Sequence, residues 1–401
     1  MRYNYLCLSH SLYIELGGTH MITNDILYLG VNDRDIDLFE GQYIVPEGIS
    51  YNSYLIMDEK TAVMDTVDQR KKEEYLTNLE NALKGRCPDY LVVSHVEPDH
   101  ASSVAAFLDK YPSAQLVGNA KTFQMLSQFF DLNLENAVTV KEGDVLSLGR
   151  HQLHFTMAPM VHWPEVMFTY DSYDKVLFSA DAFGKFGALD AKEDWLCEAR
   201  RYYFNIVGKF GMPVQAVLKK AAALDIRIIC PLHGPVLKEN LGYYLEKYQI
   251  WSSYQPEDEG VFIAYASLHG NTAAAAKKLA EFLTAKGCKV ETADLAREDM
   301  AEALENAFRY SKTVLAASSY NGGVMPFMED FLHHLKGKNY QNRTVALIEN
   351  GSWAPSAGKT MCEILSQMPK ITVLEPSVTI RGCMKEETMT ELQNLADKLL
   401  Q

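Results

Sequence analysis

Four short segments carry the histidines and carboxylates of one prospective metal box, and each follows an apolar run that reads as a buried strand. His95-Val96-Glu97-Pro98-Asp99-His100 follows Tyr90–Ser94, His162 follows Gln152–Pro159, Asp181 follows Lys175–Ala180, and His233 follows Asp225–Cys230. Strand ends that converge from distant parts of a chain are where α/β folds build their sites, so this spacing demands sheets with site residues on the connecting turns. A single histidine or aspartate after a strand is ordinarily a loop residue. Four ligand-type residues within six positions, joined by three more at strand ends, are not explained that way.

The box holds four imidazoles and three carboxylates, enough for two metal ions, and no thiolate. That donor set points to iron or manganese rather than to structural zinc. Alternation puts His95, Glu97 and Asp99 on one side of an extended segment, while Pro98 prevents a continuous helix and fixes a turn. One ion then takes His95, Glu97 and His162, and the other takes Asp99, His100 and His233. Asp181, with two oxygens, is the natural bridge. His151, His154, His333 and His334 read instead as surface or core residues.

At 401 residues the chain is too long for one ordinary core, and two domains are expected. The net charge of −14 argues against nucleic acid or an anionic membrane as partner. No apolar stretch approaches the roughly 20 residues that span a bilayer. Residues 1–20 lack the features of a signal peptide and read as an extension of unknown role. The seven cysteines include no Cys-x-x-Cys pair, which fits reduced thiols in a cytoplasm and leaves no rubredoxin-type or iron–sulfur site.

The chain divides at Trp251–Gly260, a polar acidic stretch with Pro256 and Gly260 that reads as a linker or domain entry, giving domains at 21–255 and 256–401. Before it, strands at Gly41–Val45, Tyr51–Met57 and Ala62–Thr66, a helix at Lys71–Leu83 and a later helix at Leu237–Tyr248 suggest a two-sheet core flanked by helices. After it, strands at Val261–Ser267, Lys289–Asp294, Thr313–Ala317, Thr344–Glu349 and Ile371–Val373 alternate with helices, from Thr272–Lys286 to a last one beginning at Lys385. That is a doubly wound parallel sheet.

Three loops of this second domain sit at carboxyl ends of strands, where doubly wound folds bind ligands. Ser267-Leu268-His269-Gly270-Asn271-Thr272 opens a helix and suits a phosphate dianion. It has neither the lysine of a Walker A loop nor the Gly-x-Gly-x-x-Gly of a dinucleotide site. Ser318-Ser319-Tyr320-Asn321-Gly322-Gly323 and Asn350-Gly351-Ser352-Trp353-Ala354-Pro355 complete the set. Tyr320 or Trp353 can cover an isoalloxazine ring, and backbone at Gly322, Gly323 and Gly351 can approach its edge.

The His-x-His-x-Asp-His pattern belongs to the metallo-β-lactamase superfamily of di-zinc hydrolases, but Glu97 stands where those enzymes carry their second histidine. In that respect, and at every later ligand position, the chain resembles the flavodiiron proteins. The flanks Tyr51-Asn52-Ser53-Tyr54-Leu55-Ile56, His162-Trp163-Pro164, Arg201-Tyr202-Tyr203 and Pro231-Leu232-His233-Gly234-Pro235 resemble them too. The second domain is similar to flavodoxin. The resemblance implies a metallo-β-lactamase-like αβ/βα domain with two irons, fused to a flavodoxin-like FMN domain. It implies reduction of dioxygen to water, of nitric oxide to nitrous oxide, or of both, in the cytoplasm. It also implies an external electron donor (rubredoxin, rubredoxin reductase or reduced deazaflavin) and a head-to-tail homodimer or dimer of dimers that sets one subunit's flavin beside the other's metals. No further domain follows the second, which matches the simplest architecture of the family. Tyr202 or Tyr203 would donate a hydrogen bond to a bound oxygen species, and Trp163 would shape the pocket. The rival reading is a di-zinc metallo-hydrolase with an accessory flavodoxin module, and Glu97 and the three loops weigh against it.

Overall fold

A computed structural model of the chain describes residues 20–401. Most of the N-terminal extension expected at 1–20 lies outside the described residues. His20 itself pairs with Tyr28 at the edge of the first sheet.

The first half is a sandwich. One sheet runs His20–Met21, Ile26–Tyr28, Tyr54–Met57, Thr61–Met64, Tyr90–Val92, Gln115–Gly118, Val138–Thr139, and the other runs Val145–Ser147, Gln152–Met157, Met167–Asp171, Val176–Phe178, Ile228–Cys230. Strand alternation explains why both faces are buried. Tyr54, Ile56, Ala62, Met64 and Val92 point between the sheets onto Leu153, Phe155, Met167 and Phe178. Their neighbours Leu55, Val63 and Leu91 point outward under the Lys72–Leu83 and Val104–Lys110 helices.

The second half is a parallel sheet in the order Val290–Asp294, Asp258–Ala266, Tyr310–Tyr320, Arg343–Asn350, Ile371–Val373. In chain order this is 2-1-3-4-5, the doubly wound arrangement expected. Val378–Ile380 pairs with the same strand as Ile371–Val373 and escaped the sequence reading because its three residues carry no visible period.

Several local expectations shift. The helix expected from Leu237 starts at Leu241, because Leu237 exchanges two backbone hydrogen bonds with Ile229. The Gly41–Val45 strand is only Tyr43–Ile44, paired with Leu38–Phe39 in a small hairpin. The acidic connection is not a free linker. Trp251 and Tyr254 are buried, and Glu257 accepts hydrogen bonds from Arg200, Trp251 and Lys247. The halves share one core, in which the rings of Phe204 and Phe308 stack at 4.3 Å.

Candidate metal and flavin sites

Strand ends of both sandwich sheets meet at one rim. Tyr90–Val92 leads to His95, Gln152–Met157 to His162, Val176–Phe178 to Asp181, and Ile228–Cys230 to His233. The turns that aim these side chains are tight. Met160, two residues before His162, has φ 65°, and Ala180, before Asp181, has φ 48°. Asp65, with φ 55°, accepts hydrogen bonds from the backbone of Ser94 at 2.6 Å and His95 at 3.3 Å and so anchors the start of the cluster. Non-glycine residues held at positive φ gather at functional sites because surrounding structure must over-determine them.

Pro98 does not end helical conformation but begins a single turn, Pro98–Ala101, at the position where a missing N–H costs nothing. Asp99 therefore leaves the side shared by His95 and Glu97 and joins His100, contrary to the simple alternation. All seven residues come together in two sets. His95, Glu97, His162 and Asp181 form one, and Asp99, His100 and His233 form the other.

In the first set, Glu97 Oε2 lies 3.1 Å from His95 Nε2 and 3.0 Å from His162 Nε2, and Asp181 Oδ2 lies 3.0 Å from His162 Nε2. In the second, Asp99 Oδ2 is 3.2 Å from both His100 Nε2 and His233 Nε2, which stand 3.1 Å apart. Asp181 Oδ1 faces this set, 3.3 Å from His100 Nε2. Donor atoms around a common ion at about 2.0–2.2 Å lie roughly 3–3.4 Å from one another. Both oxygens of Asp99 and of Asp181 are buried without a hydrogen-bond donor. Buried carboxylates in that condition fit a cation and little else.

Electrostatics agree. Burial alone would raise the Asp181 carboxyl, but His95, His100 and His162 outweigh it and hold it well below the usual range. Burial, reinforced by Glu97 and Asp181, pushes Asp99 up to about 7. Carboxylates crowded in this way gain from a shared positive ion.

Sequence reasoning missed the groups that support this box. Glu165 Oε1 accepts from His95 Nδ1 at 2.7 Å and from the Val96 amide at 2.8 Å. It stands three residues after His162, and that spacing was the available signal. His233 Nδ1 donates to the Ser50 carbonyl at 2.7 Å. These partners leave Nε2 of both rings as the free lone pair. Trp163 sets its ring edge-on to His95 at 5.3 Å, as a pocket wall.

The two tyrosines diverge. Tyr202 ends a helix, Trp195–Tyr202, and its ring lies 5.6 Å from that of His233. Tyr203 begins a π-helical turn, Tyr203–Val207, and packs against Tyr248, Trp251 and Phe204 instead. The Tyr203 ring thus contacts these aromatic side chains, whereas that of Tyr202 contacts a box histidine.

The three flavin loops end adjacent strands of the second sheet. Gly270, at φ 87°, precedes the helix Asn271–Ala285, whose first turn has no side-chain cap. Those amides and the exposed Asn271 and His269 are available to an anion. Ser267 Oγ accepts from Gly270 N at 3.0 Å, and Thr272 Oγ1 meets Ser318 Oγ at 2.9 Å, tying the first two loops together. Asn321 and Gly322, at φ 50° and 77°, form a tight hairpin turn between Tyr320 and Gly323, so Ser318–Tyr320 belong to the strand itself. Ser352, Trp353 and Ala354 are exposed, and Trp353 is 90% accessible, as an aromatic awaiting a ring to cover would be. Asn350 is different. Its side chain donates to the Gly382 carbonyl at 2.8 Å and accepts from the Gly382 amide at 3.1 Å, so it braces the loop rather than a ligand.

Two family models match the chain: the ODP family beta lactamase at residues 49–234 and flavodoxin at residues 263–393. A nitric oxide reductase of Moorella thermoacetica is 30% identical over 388 residues, spanning 94% of this chain and 97% of the relative. The chain belongs to the flavodiiron protein family. Rubredoxin oxygen:oxidoreductase from Desulfovibrio gigas superposes with a TM-score of 0.88 at 25% identity, covering 95% of this chain and 97% of that one. A variant of the flavo di-iron protein from Thermotoga maritima gives 0.87 at 26% identity, covering 96% and 98%. As a flavodiiron protein the chain is an oxidoreductase whose cofactors are FMN and a pair of irons. The hydrolase reading is not favoured. No helix among the described residues is long and apolar enough to cross a membrane.

Proposed function

We propose that this flavodiiron protein reduces dioxygen to water, nitric oxide to nitrous oxide, or both, with electrons entering from a rubredoxin-type donor through the flavin. The observation that carries the reading is the placement of Asp181, one oxygen toward each donor set, on a chain that also holds a flavodoxin sheet. A hydrolase needs no flavin, and a flavodoxin alone needs no paired metal box.

In this reading His95, Glu97 and His162 hold one iron, Asp99, His100 and His233 hold the other, and Asp181 bridges them. Iron held there would supply the electrons that a small gas requires. The chain's own residues do the rest. Burial and the carboxylates of Asp181, Asp99 and Glu97 keep the Tyr202 hydroxyl protonated, so it retains a proton to donate. A cavity of about 350 Å³, lined by Ile36, Leu38, Phe39 and Tyr51 and by the charged Glu40, Asp68 and Arg70, reaches Glu97 and Asp99 and gives a gas its entry. In the second domain the uncapped helix start and the Ser267, Thr272 and Ser318 hydroxyls receive the flavin phosphate, and Trp353 or Tyr320 covers the ring.

A head-to-tail dimer belongs to the same proposal. Trp353, Tyr320 and Leu268 are exposed around the flavin loops, and Leu38 and Ile44 are exposed at the metal mouth. These are apolar surfaces that a second copy would cover. Six described cysteines form no disulfide, which supports a reducing cytoplasm.

The deciding experiment is stopped-flow mixing of photoreduced, iron-loaded protein with each gas separately. Rapid reoxidation of flavin by at least one gas is expected. Reoxidation no faster than that of the isolated flavin, in protein loaded with iron and FMN, would refute the reading.

A further inference from the structure

We infer that Glu165 is a positioning residue that makes the two metal positions unequal, giving the one at His95, Glu97 and His162 the lower reduction potential. The inference rests on the ligand assignment proposed above and extends it.

The asymmetry lies behind the imidazoles. Glu165 is fully buried, and its carboxylate takes the Nδ1 proton of His95 in a 2.7 Å hydrogen bond. The Val96 amide donates to the same oxygen and holds the carboxylate in place, and Asn119 Nδ2 donates to the Glu165 backbone carbonyl at 2.6 Å, fixing the main chain that carries it. Its second oxygen has no partner, and among the described residues no lysine or arginine pairs with it. Of the metal-box side chains, the carboxylate is hydrogen-bonded to His95. On the other side, His233 Nδ1 donates to a neutral carbonyl, that of Ser50, and His100 Nδ1 has no hydrogen-bond partner.

An imidazole whose outer N–H is drawn toward a buried carboxylate is the more electron-rich donor at Nε2. The difference lies in hydrogen bonding rather than in a bare count of charges. Each position has one carboxylate of its own, Glu97 or Asp99, and one oxygen of Asp181; Glu40 stands beside Glu97 and the buried Asp65 acts on His100, but only His95 has a carboxylate hydrogen-bonded to its outer nitrogen. Greater negative charge favours the ferric over the ferrous ion. With iron in both positions, the one at His95 would be the easier to oxidise and the one at His100 and His233 the easier to reduce.

The test is an anaerobic redox titration of the full-length protein, with ferricyanide as oxidant and dithionite as reductant, following the mixed-valent EPR signal. Iron per chain is measured on the same samples. Wild-type protein should show two resolved one-electron steps. In Glu165→Gln the amide oxygen still accepts from His95 but the charge is gone. The constant for forming the mixed-valent state should fall at least tenfold, a narrowing of about 59 mV for a one-electron couple. Glu165→Asp, which keeps the charge, should retain two resolved steps. Wild-type steps that coincide, or an unchanged gap in iron-loaded Glu165→Gln, would overturn the inference while leaving the proposed function standing. Wild-type protein that takes up no iron would instead overturn the ligand assignment itself.

Discussion

The guanidinium of Arg200 grips the carboxylate of Glu257 through two parallel contacts, Nε to Oε2 at 2.7 Å and Nη2 to Oε1 at 3.1 Å. The third arm of the same guanidinium reaches Glu305 at 3.0 Å, on a helix of the flavodoxin-like half. Arg200 is buried, so the fork joins the two halves out of reach of solvent screening. Truncation leaves buried Glu305 without its cation and Glu257 with Lys247 alone, and breaking a buried pair in this way typically costs about 3–5 kcal/mol. Arg200→Ala should lower the guanidinium chloride midpoint accordingly. A loss under about 1 kcal/mol, the scale of exposed pairs, would show that the fork does not hold the seam.

Glu305 adds a pH dependence of definite sign. Burial, against the opposing pull of Arg200, raises its carboxyl to about 7. A group whose folded pKa is raised contributes stability that is complete below its unfolded value and lost as pH climbs to the folded one. Glu257 works oppositely. Burial opposes the effect, but Arg200, Trp251 and Lys247 hold it down at about 2, so its contribution is lost only in acid. The seam should weaken between about pH 4.5 and 7 through Glu305, and Glu305→Gln should flatten that fall. Thermal unfolding at pH 5.5 and pH 8 checks it. An equal shift in Tm at both values would contradict the assignment.

Glu97→His restores the imidazole of the related hydrolases and removes one anionic oxygen from the first donor set. A more neutral, nitrogen-rich site favours zinc over an oxidisable iron. Iron per chain after growth in mixed metals should drop about tenfold relative to zinc, a change of the size that smaller perturbations around ligands already produce. Metal analysis of the purified variant measures this directly, and iron retained at the wild-type level would show that Glu97 does not select the metal.

The seven box residues were legible because ligand chemistry restricts their types and because each follows an apolar run. The doubly wound half was legible for a related reason: nearly all its strands and helices are long enough for their period to show. What stayed hidden depends on folding rather than on residue type. That Tyr202 and Tyr203 face opposite ways follows from the helix passing into a π-helical turn between them, which no local pattern announces. Glu165 is an ordinary glutamate until the sandwich brings it against His95. At Trp251–Gly260 the composition does not announce that the Glu257 charge is spent on a buried ion pair rather than on water.

Gly351 tests the flavin site independently of the metals. A Cβ there would lie 2.9 Å from Pro355 Cα and 3.0 Å from Ser319 Oγ. That hydroxyl accepts from the amides of Ser356 at 2.8 Å and Ala357 at 3.2 Å, so displacing it moves the whole Ser352–Pro355 loop. Gly351→Val should reduce FMN per chain by more than about half, an effect of roughly 1 kcal/mol on retention. Iron content should stay unchanged. Released-flavin absorbance gives the first number and metal analysis the second; a fall in iron alone would place the flavin elsewhere.

Tyr202 and Tyr203 offer the sharpest separation of stability from chemistry. Both hydroxyls are buried and neither has a hydrogen-bond partner in the protein. Removing an unsatisfied buried hydroxyl typically recovers about 1 kcal/mol or more, so either Phe substitution should raise the unfolding midpoint of metal-free protein. Turnover should divide them. Three carboxylates of the box, Asp181, Asp99 and Glu97, act on the Tyr202 hydroxyl, whereas Tyr248 and Tyr254 are what act on that of Tyr203. A proton donor aimed at the reacting gas contributes about a hundredfold or more when it takes part in the slow step. Tyr202→Phe should therefore slow gas-driven reoxidation by at least about tenfold, given that water can replace part of the donation. Tyr203→Phe should leave the rate within about twofold, since its ring packs on Tyr248, Trp251 and Phe204 rather than on a box residue. Equal rates in the two variants, with both proteins stabilised, would strip Tyr202 of its role and leave it as one more ring packed against His233.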